Sequence, residues 1–403
     1  MELVTVDRIR EARELLAGVI RETPMEHSRT LTAEHGGEVF LKCENLQRTG
    51  SFKIRGAYVR IHGLSPSDRV RGVVAASAGN HAQGVALAAS TLGIASTVFM
   101  PVQVPLPKLA ATRAYGADVR LAGTVIEETL AEAVGFAHET GAVFIHPFDH
   151  PDVIAGQGTL GLEIVDQLPA AATVLAAAGG GGLAGGVAAA IKAVRPDIRV
   201  VAVQAEQAAA FPPSLAAGAP VRLAELQTMA DGIAVGEPGQ VSYAHVDELV
   251  DDVVTVTEES LSRAVLLCLE RAKLVVEPAG AATVAALLQY PRRFASPVVA
   301  VLSGGNVDPL LLLQIIQHGM TAGGRYLDLR LRVPDRPGSL AALLKLVGEL
   351  GANVLDVEHS RVSGALRLGE ADVALVLETR GEEHRMRVTD ALKAAGYAFL
   401  RSR

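Results

Sequence analysis

The chain of 403 residues has only two cysteines, Cys43 and Cys268. Their spacing fits neither a metal site nor a disulfide framework, so each reads as a small buried hydrophobe. Positive charge is scarce: the formal net charge is −7, which removes the electrostatic basis for nucleic-acid binding. No stretch reaches the roughly 20 apolar residues of a membrane span. The N-terminal "MELVTVDRIREARELL" lacks the apolar run of a secretory signal. The expected location is cytoplasmic. Lysine is the scarcest charge, with seven against thirty arginines. Where the chain needs only a positive charge it uses arginine, so a lysine in an unusual setting calls for chemistry. Its amine can lose a proton and act as a base or nucleophile, which a guanidinium cannot do. One such lysine, Lys53, lies in "TGSFKIRGA", residues 49–57.

What is abundant is apolar and small: 49% hydrophobic residues and 40 glycines. This is the profile of a folded α/β enzyme with close helix–sheet packing, and the length suggests two or three domains at roughly 150 residues each. Short apolar runs read as buried strands at 38–45, 72–77, 96–101, 173–178, 198–206 and 297–305, with helical patterns between them, among them 79–93, 105–117 and 153–168. Alternation of this kind predicts a mainly parallel sheet covered on both faces. Ligands in such sheets bind beyond the carboxyl ends of the strands. The polar, glycine-rich segment around 317–325 breaks the pattern and is expected to contain a linker, at 321–325. Residues 326–403 then read as a separate βαββα unit with a short terminal strand at most. From residue 325 onward the chain carries thirteen basic and eleven acidic residues, net +2, leaving −9 for the rest.

Three turns at strand ends offer sites. "AAAGGGGLAGG" (176–186) follows a strand and opens a helix. Backbone amides there can cradle a phosphate, with no Cβ in the way, although tight helix–sheet packing also favours glycine. Gly180, Gly182 and Gly185 further satisfy G-x-G-x-x-G, and Glu206 follows at about the spacing of a dinucleotide site. An NAD-dependent dehydrogenase is therefore a rival. "SAGNHAQG" (77–84) places Ser77, Asn80 and His81 where a strand becomes a helix, suited either to a carboxylate or to plain capping. "LSGGN" (302–306) offers Ser303 at a strand end, and "VVEPAGAA" (275–282) offers Glu277 at a helix start. A lysine, a phosphate cradle, a carboxylate turn and a hydroxyl at a strand end together suggest pyridoxal phosphate, which needs a Schiff-base lysine, a phosphate site and a partner for its ring nitrogen.

These motifs, in this order, resemble the fold-type-II pyridoxal-phosphate enzymes, and most narrowly threonine ammonia-lyase (threonine dehydratase), near the serine dehydratases and serine racemases. The tail "LRVPDRPGSLAALLKLVGELGANVLDVEHSR" resembles an ACT regulatory domain. The resemblance implies two open, mainly parallel α/β subdomains in a catalytic domain at 1–320, the smaller at approximately 50–150, followed by a ferredoxin-like α+β ACT-like domain at 326–403. It implies that Lys53 forms the Schiff base, Phe52 lies against the cofactor ring and Asn80 bonds the ring hydroxyl oxygen. Gly179, Gly180, Gly181, Gly182 and Leu183 give amides to the phosphate, and Ser303 faces the ring nitrogen. Ser77, Asn80 and His81 hold the substrate carboxylate, and Glu277 lies near the substrate hydroxyl. The implied reaction is β-elimination from L-threonine, or L-serine, to a 2-oxo acid and ammonia, with the leaving hydroxyl protonated by the cofactor phosphate. Racemases of the family carry a serine where Ala78 stands, which disfavours racemisation here. Relatives that bind a divalent cation pair a glutamate at the position of Glu206 with an aspartate where Pro212 stands, so no metal ligand is assigned. The tail implies a small amino-acid effector such as isoleucine or valine, bound at a domain–domain interface, and a homo-oligomer.

Overall fold

The carboxyl ends of three neighbouring strands organise the molecule. In the computed structural model, which describes residues 2–361 and 367–400, Val39–Lys42, Val298–Val301 and Thr173–Ala177 run parallel and side by side. Each is almost wholly buried. Two more parallel strands, Arg199–Ala205 and Asp252–Val256, extend this sheet on one side, and Met25–His27 pairs antiparallel on the other. A second, four-stranded parallel sheet orders Asp118–Leu121, Ser96–Met100, Val73–Ala76 and Val143–Phe144. Both sheets lie in the first of two compact units, Met1–Leu312 and Leu313–Arg403.

The helices between the sheets approach closely because glycines face each other. Helix Pro151–Gln167 packs on helix Lys53–His62 at Gly56 and Gly156: a Cβ at Gly156 would lie 2.6 Å from the Arg55 carbonyl, and one at Gly56 2.7 Å from the Val153 carbonyl. Along the same helix Gly158 meets Gly186 of helix Gly182–Val194, where a Cβ on Gly186 would lie 2.5 Å from the Ile154 carbonyl. One helix thereby locks the lysine helix to the glycine-loop helix.

Beneath this crossing lies a fully buried set of charges. Arg55 uses all five of its N–H donors. Nε and Nη2 bond the two oxygens of Glu44 (2.8 and 2.9 Å), Nη1 and Nη2 those of Glu163 (2.6 and 3.0 Å), and Nη1 also Thr159 Oγ1 (3.0 Å). Lys42 uses all three of its own, to Glu163 (2.8 Å), Gln167 (2.9 Å) and the Thr23 carbonyl (2.7 Å). Two cations and two anions, all at most 6% exposed, balance with no donor left over.

The second unit is a four-stranded antiparallel sheet ordered Asn353–Ser360, Glu370–Glu378, Tyr326–Pro334 and Ala398–Phe399. Alternate residues Leu327, Leu329, Leu331 and Val333 face helices Ser339–Glu349 and Glu382–Ala394 and form a closed core with Leu343, Val347, Val388 and Leu392. The order of elements is βαββαβ. Gly338, with φ +87°, turns the D-R-P-G segment into its helix.

Several elements differ from the sequence reading. Helix Pro309–Ala322 runs through much of the 317–325 segment, because the apolar residues from Leu310 to Ile316 carry it into the polar stretch. Gly323 and Gly324 (φ +65°) end it. Strands Met25–His27 and Asp252–Val256 and helices Arg29–His35 and Gln240–Leu249 are additions at the sheet edges and surface. Among the described residues no helix is long and apolar enough to cross a membrane.

Candidate active site

The parallel register brings three predicted segments to one edge. Val39–Lys42 leads through Glu44 to Lys53, Val298–Val301 leads to Ser303, and Thr173–Ala177 leads to the glycine loop. The Phe52 amide donates to the Ser303 carbonyl (3.1 Å), Ser51 and Gly304 form a bridge, and the Gly305 amide donates to the Gly50 carbonyl (2.8 Å). From the smaller sheet, the adjacent strands Val73–Ala76 and Val143–Phe144 deliver the 77–81 turn and the segment 145–149.

Lys53 opens its helix directly after Phe52. Its Nζ donates to the Pro147 carbonyl (2.9 Å) and stands 5.2 Å from the Phe52 ring centre. Among the described residues no carboxylate bonds it. Burial lowers its pKa to about 8, only partly opposed by Glu277, so a sizeable neutral fraction exists near neutral pH. Ser51, next to Phe52, is fully buried, and its Oγ has no hydrogen-bond partner among the described residues.

The glycine loop is required by what lies under it. A Cβ on Gly180 would fall 2.2 Å from the Phe148 ring, one on Gly181 2.6 Å from the Phe211 ring, and one on Gly182 2.8 Å from the Phe148 carbonyl. Gly181 sits at φ +100° as the cap of helix Gly182–Val194. The amides of Gly181, Gly182 and Leu183 thus fall in a helix's first turn, where they have no carbonyl of their own helix to bond. Gly179 is the half-buried start of the loop, and the Leu183 side chain packs into the core. At Gly185, the third glycine of the dinucleotide pattern, a Cβ would lie 2.9 Å from His245 on the neighbouring helix. Glu206 is exposed on a short turn. Among the described residues no three His, Cys, Asp or Glu side chains group to hold a metal.

Asn80 is oriented by its neighbours. Its Oδ1 accepts from Asn306 Nδ2 (2.8 Å), which also donates to the Thr49 carbonyl, and its Nδ2 donates to Glu277 Oε1. This fixes which end is the amide nitrogen and leaves one N–H free to point elsewhere. Glu277 is 2% exposed. Burial pushes its pKa up to about 7, aided by Asp231 and opposed by Asn80, Lys108 and Lys53. Ser77 caps its own turn, accepting from the Gly79 amide (3.1 Å). The ring of His81 is turned away to the Ile145 carbonyl (2.8 Å), and burial, with help from Lys53, lowers it to about pKa 3. The ring is therefore a neutral structural tie; only its backbone amide lies in the first turn of helix Asn80–Thr91. Ser303 is buried, and its Oγ reaches only a long 3.5 Å contact to the Ala279 carbonyl.

The sequence reading missed the segment 146–149. His146 Nδ1 accepts from the Phe148 and Asp149 amides (3.3 and 2.8 Å), so its ring is neutral with the proton on Nε2, consistent with burial holding it at about pKa 4. Asp149 accepts from the Ser242 amide (2.9 Å), and the Phe148 carbonyl from the Ser242 hydroxyl (3.2 Å). This segment supplies both the carbonyl on Lys53 and the ring beneath Gly180. Its only sequence signal is the Pro and His at the end of a short apolar run.

A family model described as "Pyridoxal-phosphate dependent enzyme" matches residues 16–304, and one described as "ACT domain" matches residues 328–395. An L-threonine ammonia-lyase of Thermotoga maritima is 47% identical over 395 residues, 98% of both chains. Among solved structures, a threonine deaminase from T.th. superposes with TM-score 0.72 at 41% identity, covering 75% of this chain and 99% of that one. Maize serine racemase gives TM-score 0.74 at 36% identity, covering 79% and 99%.

Proposed function

The chain belongs to the pyridoxal-phosphate-dependent enzyme family, with an ACT domain towards its C-terminus, and from that membership we propose that it is an L-threonine ammonia-lyase. It converts L-threonine to 2-oxobutanoate and ammonia, and L-serine to pyruvate and ammonia. The observation that carries this is the Lys53 amine: half-buried, lowered to about pKa 8, and held by a carbonyl rather than a carboxylate.

The residues present fit the cofactor. A row of helix-start amides above Phe148 and Phe211 suits a phosphate. The loosely held Ser303 hydroxyl suits a neutral ring nitrogen, the remaining N–H of Asn80 suits the ring oxygen, and the orphaned Ser51 hydroxyl awaits a polar partner. When bound, pyridoxal phosphate withdraws electrons from an amino acid's α-carbon and makes the proton there acidic.

The chain does the rest. Lys53 Nζ takes the α-proton as general base. The amides at the start of helix Asn80–Thr91, with Ser77, hold the substrate carboxylate; His81 contributes its backbone there and its ring ties the turn to Ile145. Phe52 limits water at one side of the amine. Glu277 orients Asn80 and, near pKa 7, can hold a proton on the hydroxyl side. Ser303 cannot protonate a ring nitrogen as a carboxylic acid would, which favours prompt β-elimination over reactions needing a long-lived carbanion. The racemase alternative lacks a second base, because Ala78 has no proton to exchange. The dinucleotide alternative falls with the family membership.

We assign residues 1–320 to the catalytic domain, its smaller part at approximately 50–150, 321–325 to a linker and 326–403 to an effector-binding domain for isoleucine or valine. A homo-oligomer and a cytoplasmic location accompany this reading; both cysteines are free and buried, with burial raising their pKa to about 12. The test is ammonia release from L-threonine by a yellow protein that bleaches with borohydride. Lys53→Ala should lose the activity by roughly a thousandfold or more. A colourless protein with NAD-dependent turnover, or full deamination by Lys53→Ala, overturns the reading.

A further inference from the structure

Several polar links join the halves of the first unit across the site, and two of them bear on Glu277. One is Asn80 to Glu277. The other is Lys108, on helix Leu106–Ala114 of the smaller-sheet half, to Asp231, which opens a short turn in the larger half; Nζ to Oδ2 is 2.6 Å. The Lys108 side chain is only 11% exposed, whereas Asp231 is 53% exposed. Asp231 is the one hydrogen-bond acceptor of the Lys108 ammonium among the described residues. The two links are neighbours. Lys108 Nζ stands 3.8 Å from where a Cβ on Gly79 would be, in the turn just before Asn80. A Cβ on Gly232, next to Asp231, would stand 3.7 Å from Glu277 Oε1. Lys108, Gly79 and Asn80 on one side and Asp231 and Glu277 on the other therefore close a ring across the two halves.

We propose that Lys108 and Asp231 are positioning residues of the reaction: their ion pair holds the Gly79–Asn80 turn against Glu277, and their charges act on the Glu277 carboxyl with opposite sign. This rests on the lyase reading above. The charged and titratable groups acting on Glu277 are Asp231, Lys108 and Lys53, with Asn80 as hydrogen-bond donor. Asp231 favours the protonated acid, and the two lysines favour the carboxylate. With its midpoint at about 7, Glu277 changes form near neutral pH, so the pair sets how firmly Asn80 is held there.

A merely structural ion pair and this arrangement predict different signs. Breaking a strut from either end would loosen the turn in the same way. Here, Lys108→Met should raise the Glu277 midpoint and Asp231→Asn should lower it, each by roughly half a pH unit or more. The measurement is the infrared band of the protonated carboxyl that Glu277→Gln abolishes, titrated in holoenzyme for the unsubstituted protein and both variants. A pH profile of kcat/KM for L-threonine accompanies it, and Lys108→Arg, which keeps the charge, should restore the original midpoint. Opposite shifts in the band, with the kcat/KM limb following, support the proposal. Shifts of the same sign, or none, overturn it even when threonine is deaminated normally. Should the unsubstituted protein release no ammonia from threonine, the lyase reading falls, while the band still decides the electrostatic pairing. If Asp231→Asn does not fold, Asp231→Ser gives the same test at a half-exposed position.

Discussion

Helix Lys53–His62 carries two cations two residues apart, Lys53 half-buried and Arg55 fully buried, and they are treated in opposite ways. Arg55 has every donor matched, and two carboxylates overcome its burial and raise its pKa further. Burial likewise pushes Glu44 up, yet Arg55, Thr23 and Lys42 outweigh it and leave the carboxyl below its ordinary range. Lys53 has one carbonyl, and burial prevails, bringing it to about 8. The same desolvation thus locks a charge in place where partners are supplied and frees a proton where they are withheld. The charge cluster is scaffold because it is complete; the lysine is reactive because it is not.

Either cation can be used to test this contrast. The largest expected effect is at the complete cluster. Arg55→Met leaves Glu44 and Glu163 buried without their cation and should cost about 3–5 kcal/mol in urea unfolding. A loss below about 1 kcal/mol would show the cluster to be dispensable. Next, the incomplete site should be a liability to stability. With cofactor stripped from both proteins, Lys53→Met should gain on the order of 1–3 kcal/mol at pH 7. The unfolded chain holds its Lys53 proton up to about pH 10.5 and the folded one only to about 8. The penalty is therefore fully present below about pH 8 and fades as the pH rises to 10.5, and the gap between the two proteins should close over that window. A gap independent of pH would assign the effect to packing. The smallest effect is kinetic. The rate of yellow colour formation on adding pyridoxal phosphate to the stripped protein should rise about tenfold per pH unit and level off near 8. A lysine partnered as Arg55 is would keep rising past about 10.

The strand–turn–helix segments are legible in the sequence because their signals are local. An apolar run ending in Ser77, in the four glycines or in Ser303 announces a strand end, and parallel sheets gather strand ends. Lys53 stands out by scarcity. The Arg55–Glu44–Glu163–Lys42 cluster is not legible: its members are spread from residue 42 to 163, and charged side chains read as surface until their partners are known. His81 is half legible: a histidine at a turn leaves chemistry and plain structure both open, and only the fold shows that distant Ile145 claims its ring. The helix at 309–322 escapes because glycine and polar side chains late in the segment mask the apolar run that starts it. The role of 146–149 rests on one backbone carbonyl and one ring edge, neither of which leaves a motif.

That last segment also governs how much the surroundings may vary. The acceptor of the lysine amine belongs to Pro147, and the ring under the glycine loop belongs to Phe148. A single planar peptide unit separates the two contacts. The amine and the anion cradle are therefore both referred to one rigid peptide group, with only the backbone φ and the side-chain torsions of Phe148 left for packing to set.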